Sequence, residues 1–387
     1  MRKLHLDNIR WITILLVVIF HSFYYYNNIG IKAMFAGAPA YNDGMTFAGI
    51  FQYFVYPWFM LLLFVVAGMS AKYALEKKTV GQFIKARTDK LLVPSTLGVL
   101  AFGWIGGFVI YLTNASINMP KEVPGFVRLV IVLFSGIGAL WFCHVPFTAS
   151  LLLAVIRKIV AKYHGNDTKT CQWFARKADK FFPFCVLLIF VYLILWGGAH
   201  VLNMPLITAY RNGIYIPAFL FGYYIFSNEE IIEKLKKAVF LFFILSVLTG
   251  GYYISRCYGL AYSDIYVLSR WDLNLYAFFM ILFVLGAGAR FLDFRNAFTD
   301  YMNQSCFGIY VLHIPVMLVI NYLLIGKQLP IIMVYSIEFI GSLIFSILLY
   351  EVIHRIPVLR YWIFGVRKNR PDKKTNNSLI MTRRKNL

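Results

Sequence analysis

Ten long apolar runs, each parted from the next by a charged or turn-rich stretch, leave this chain one way to satisfy its backbone. They fall at about Ile9–Tyr26, Ile50–Ala71, Leu91–Leu112, Leu140–Val160, Phe182–Ala199, Ile214–Phe226, Ala238–Ser255, Leu273–Ala289, Ser305–Ile325 and Ile331–Ile353. A hydrocarbon layer of about 30 Å takes about 20 such residues per helix. With 60% hydrophobic residues and a mean hydropathy of +0.67, the expected fold is all-α, a polytopic integral membrane protein of about ten transmembrane helices. The sixth run is short, and Phe126–Leu140 is compatible with either a re-entrant segment or a helix of its own.

A net charge of +21 would suggest a nucleic-acid partner in a soluble protein, but its placement points to the membrane. Lys and Arg gather at the start (Arg2, Lys3, Arg10), between Lys72 and Lys90, between Arg157 and Lys180, at Lys234, Lys236 and Lys237, at Arg290 and Arg295, and from Arg355 onward. The other side keeps Lys32, Lys121, Arg128, Arg211, Arg256, Arg270 and Lys327. This alternation follows the positive-inside rule and puts both termini in the cytoplasm. Residues 1–366 form one transmembrane unit, and the basic tail 367–387 is expected to be disordered against lipid headgroups rather than on nucleic acid. Bulky Tyr24, Tyr25 and Tyr26, not the small residues of a cleavage site, end the first run, so it stays attached as a helix. The five cysteines have no paired spacing, and no disulfide framework or metal site is indicated.

Polar residues inside the runs carry the chemistry. Arg10 and His21 are eleven helical steps apart, about three turns, so they share one face about 16 Å apart along the axis. Asp7 lies near the same stripe. With Arg10 at the membrane surface, His21 reaches mid-bilayer depth, where polar groups mark cavities or reaction centres. Arg87 and Lys90, one turn apart ahead of the third run, can grip a polyphosphate, or simply anchor topology. His313 enters the membrane by about eight residues from Ser305, about 12 Å, with Tyr310 one turn earlier. A helix-to-helix hydrogen bond is its plainer role. Glu338 is the one carboxylate deep in a span and could orient a histidine or serve helix packing. His144 is read as interfacial, and His5, His164, His200 and His354 receive no chemical role. Three outer segments, Tyr26–Thr46, Thr113–Gly125 and Ser255–Asp272, are long enough to meet a ligand. The last holds Tyr258, Tyr262, Asp264, Arg270 and Trp271, suited to a sugar and equally to an interfacial belt.

These segments resemble one family, the integral-membrane acyltransferase-3 proteins that acylate extracytoplasmic glycans. Leu6-Asp7-Asn8-Ile9-Arg10 through His21-Ser22 is similar to the family's opening, an Arg and a His separated by ten residues. Arg87 to Pro94 resembles its second motif, and Leu140-Trp141-Phe142 and Ser305 to Pro315 resemble two further signatures. Lys90 replaces the usual Arg, and Ala139 stands where many relatives have a His. Around Arg87–Gly98 the chain is most like a branch that succinylates periplasmic glucans. The resemblance implies cytoplasmic acyl-CoA as co-substrate with no tightly bound cofactor, an extracytoplasmic glycan acceptor, and a multi-pass location in a bacterial plasma membrane. Arg10, Arg87 and Lys90 would hold the CoA phosphates. His21 would be general base or temporary acyl carrier, Asp7 would pair with Arg10, and His313 and Tyr310 would orient groups at the centre. The competing reading is a proton-coupled transporter or flippase of a lipid-linked sugar, with Arg10, His21, Glu338 and His313 along its pathway.

Overall fold

The computed structural model describes residues 3–26, 47–112, 123–135, 137–164, 167–201 and 211–367. Most of these residues are helical and none forms a β-strand, as backbone in lipid requires. α1 (Leu4–Tyr24) begins a turn earlier than its apolar run. The second run is split into α2 (Phe47–Val55) and α3 (Phe59–Leu75). α4 (Val80–Arg87) starts on a capping box: Thr79 Oγ1 accepts from the Gln82 N–H, and Gln82 Oε1 accepts from the Thr79 N–H. The helix continues through π-wound turns at Thr88–Leu92 and Pro94–Gly103 into α5 (Trp104–Leu112). The charged stretch before Leu91, which lies outside the third apolar run, is therefore helical from Val80, because caps rather than apolar residues start a helix in water.

Phe126–Leu140 resolves into α6 (Gly125–Ser135) and a 3-10 turn at Gly138–Leu140. Then come α7 (Trp141–His164), α8 (Asp167–Ala178), α9 (Phe181–Gly198) and α10 (Asn212–Phe221), which a π turn at Gly222–Phe226 prolongs. α11 (Glu229–Lys237), α12 (Val239–Cys257), α13 (Ile265–Ser269), α14 (Trp271–Phe291), α15 (Ala297–Leu324), α16 (Ile331–Arg355) and α17 (Pro357–Phe364) follow. Among the described residues, nine helical stretches are long and apolar enough to cross a bilayer. The sixth apolar run, α10 with its π turn, is shorter but still runs between levels. Arg211 at its start bonds Leu268 O near the start of α14, whereas Ser227 after it accepts from Tyr73 near the end of α3.

Both ends of the described chain meet the side rich in Lys and Arg. Lys3 pairs with Glu229, the His5 N–H donates to Asp293, and Arg367 pairs with Asp89. The hydrogen bond from Lys3 holds the Glu229 carboxyl below its usual range. Asp89 also accepts from the Tyr361 hydroxyl at 2.9 Å, so α17 is clamped onto the π-wound turn. Gly365 ends α17 at φ +63°, where a Cβ would lie 1.9 Å from Asp89 O. Arg367, expected to open a disordered tail, is thus anchored at 2.7 Å from Asp89. Residues 368–387 lie outside the described residues, as do those from 27 to 46 and from 113 to 122 in the first two outer segments.

At the centre, α3 is buried along most of its length. A Cβ on Gly68 would sit 1.9 Å from Phe219 O, and one on Gly222 would sit 2.1 Å from Val65 O. Small residues let helix backbones approach this closely, the contact that drives association where lipid is as apolar as the core.

Candidate active site

α1 and α15 bring His21 and His313 together. His313 Nε2 lies 3.3 Å from His21 Nδ1, and the rings are 5.2 Å apart at 50°. His21 Nδ1 is 2.9 Å from Val17 O, and His313 Nδ1 is 2.7 Å from Tyr310 O. A carbonyl can only accept, so each neutral ring carries its proton on Nδ1. His313 Nε2 then shares the His21 Nδ1 proton with Val17, and His21 Nε2 keeps a basic lone pair. His313 is fully buried while His21 is partly accessible. Phe20 meets His21 edge-on at 5.4 Å, and Tyr24 does so at 5.9 Å.

On the Lys- and Arg-rich side a cavity of about 520 Å³ is lined by Arg10, Arg87, Lys90, Asn303, Gln304 and Tyr310. Arg10 donates to Asp7 and to Ser70 Oγ, both at 3.1 Å, so one of the three cations is already neutralised. Arg87 rides over the Phe83 ring at 5.0 Å with Nη2 3.5 Å from Ala67 O, and Lys90 is exposed. Among the described residues no carboxylate pairs with either, since Asp89, between them in sequence, is engaged by Arg367 and Tyr361. The cavity therefore offers two uncompensated positive charges, with Arg supplying a planar fork and Lys a point charge for phosphate. Tyr350, His354 and Phe364 form an aromatic wall beside them, with Tyr350 5.3 Å from His354 and 5.2 Å from Phe364.

Neither His21 nor His313 lines this cavity, which ends at Phe142 and Tyr310. The Tyr310 ring is 5.8 Å from that of His313, so the cavity stops one ring short of the pair. The Tyr310 hydroxyl donates to Ala139 O at 2.7 Å. The position where many relatives carry a His is thus placed against this tyrosine.

Glu338 is not brought to the histidines: it is fully buried on α16, and Oε1 accepts from the Tyr26 hydroxyl at 3.1 Å. That bond ties the end of α1 to α16. Three of the outer residues weighed for sugar binding have structural partners, while Trp271 stays exposed. Tyr262 is buried 4.8 Å from the Tyr56 ring, Asp264 caps α13, and Arg270 holds Asp272 at 2.9 and 2.6 Å. Sequence reasoning missed Ser70, Asn303, Gln304 and His354 as cavity residues. Asn303-Gln304, polar and directly ahead of the Ser305 motif, was the available signal.

A family model described as an acyltransferase domain matches residues 4–351, a span that holds the histidine pair and all three cations. No curated protein and no solved structure matches the chain. With most of its length matched and its helices built to cross lipid, the chain belongs to the acyltransferase-3 family and is a multi-pass membrane acyltransferase.

Proposed function

We propose that this protein is an O-acyltransferase moving an acyl group from cytoplasmic acyl-CoA to a hydroxyl of an extracytoplasmic glycan or glycoconjugate. The observation that carries the reading is a cavity bearing two uncompensated cations that ends one ring from a paired histidine. The Lys- and Arg-rich face is the cytoplasmic one. Arg87 and Lys90 take the phosphates of CoA; Arg10, already paired with Asp7, lines the same cavity beside them, and the thioester extends toward Tyr310.

His21 Nε2 accepts the acceptor's hydroxyl proton as its oxygen attacks the thioester carbonyl. The new C–O bond forms as the C–S bond breaks, and the imidazolium returns its proton to the departing thiolate. His313 acts by position, holding its Nε2 to the His21 Nδ1 proton so that the lone pair stays on Nε2. The test is release of free CoA by the purified protein when acyl-CoA and a glycan are supplied together. His21→Ala should lower turnover by about 10²–10⁴-fold, the usual worth of a general base, with unchanged folding by size exclusion. An active His21→Ala enzyme removes the imidazole from the mechanism.

A further inference from the structure

Arg211 stands ahead of α10, among the outer segments rather than on the cavity wall, and is 4% exposed. Its Nη2 donates to Leu268 O at 3.1 Å, and the guanidinium lies near the Tyr215 hydroxyl. Its buried Nε has no partner. Among the described residues no carboxylate forms an ion pair with it, in contrast to Arg270, which holds Asp272 with two bonds. Neutral acceptors alone leave a full positive charge out of water, which folded proteins avoid by pairing it. The first turn of α10 has no side-chain cap and adds the positive end of its dipole at the same place.

Aromatic rings connect the surroundings of this charge to the histidine pair. The charge lies near Tyr56, whose ring stacks on Phe20 at 5.7 Å, and Phe20 in turn touches His21. On its other side Tyr215 stacks on Phe64 at 4.3 Å, Phe64 lies 4.9 Å from Phe142, and Phe142 lies 5.8 Å from Tyr310. Two ring paths therefore join Arg211 to the two ends of the proposed reaction centre. We infer that Arg211 recognises an anionic group, a carboxylate, that a substrate carries to the outer side of His21. Two substrates can bring it: an acyl chain with a free terminal carboxylate, or an acceptor sugar with an acidic substituent. The activity arm of the test rests on the acyl-transfer reading; the binding arm does not.

The protein in nanodiscs and its variants Arg211→Gln and Arg211→Lys are assayed for CoA release from succinyl-CoA and from acetyl-CoA. Each donor is paired with a neutral glucan and with an acceptor bearing glucuronate. Losing a charge-assisted contact lowers kcat/KM by about 10- to 100-fold, so Arg211→Gln should show that loss only in combinations containing the recognised anion. Arg211→Lys, keeping the charge, should retain more. Loss confined to succinyl-CoA assigns the anion to the acyl chain; loss confined to the glucuronate acceptor assigns it to the sugar. Equal loss in all combinations, or none, overturns the inference. If the wild type releases no CoA from any pair, the acyl-transfer reading fails and the binding arm decides: free succinate or glucuronate should raise the melting temperature of the wild type but not of Arg211→Gln. No stabilisation of the wild type by either anion overturns the inference on its own.

Discussion

Arg87 and Lys90 face one cavity but meet it differently. The Arg87 guanidinium is braced on Phe83 and near Ala67 O, whereas Lys90 is an exposed residue. A braced fork loses little freedom when it grips phosphate. Arg87→Ala should therefore raise the apparent KM for acyl-CoA by about tenfold while changing kcat far less, the signature of lost ground-state binding. Steady-state kinetics over a range of acyl-CoA concentrations checks this, and an unchanged KM returns Arg87 to topological anchoring. The alignment of Arg10 with His21 was legible in the sequence because both lie on α1, and helix geometry alone fixes their relation. The pairing of His21 with His313 was not legible. It depends on how α1 packs against α15, some 290 positions later, and nothing local encodes that distance.

At the level of elements, the approach of α3 to α10 depends on two residues without side chains. Gly68→Ala would push a methyl into Phe219 O. It should destabilise the protein by about 1–3 kcal/mol, the usual cost of overpacking, and lower the thermal midpoint in fluorescence-detected size exclusion. Gly81→Ala, where an added Cβ meets nothing within 4 Å, is the matching control and should be neutral or slightly stabilising. Hydropathy located the spans but not their ends. α4 reads as loop on charge, yet Thr79 and Gln82 at capping-box spacing were the sign of its start. α17 is eight residues long, too short to rise above its surroundings in any apolar window, and its role emerges only from Asp89, Tyr361 and Gly365 meeting in space.

Across the whole molecule, charge is sorted by face and the cavity opens among the cations, while the histidine pair lies beyond a barrier of rings. Tyr310 and Phe142 form that barrier, and Tyr310 is held in place by its bond to Ala139 O. On the proposed reading, reagents reach this enzyme from both faces of the membrane, and it must not become a hole through it. If the Tyr310 ring is the plug, Tyr310→Ala in proteoliposomes should speed the collapse of an imposed pH gradient several-fold over wild type, read by an enclosed fluorescent dye. An equal rate would move the seal elsewhere. With that seal, the bond that occupies the Tyr310 hydroxyl would bear on bioenergetics: in an energised membrane a cell could make this protein in quantity without short-circuiting its proton-motive force.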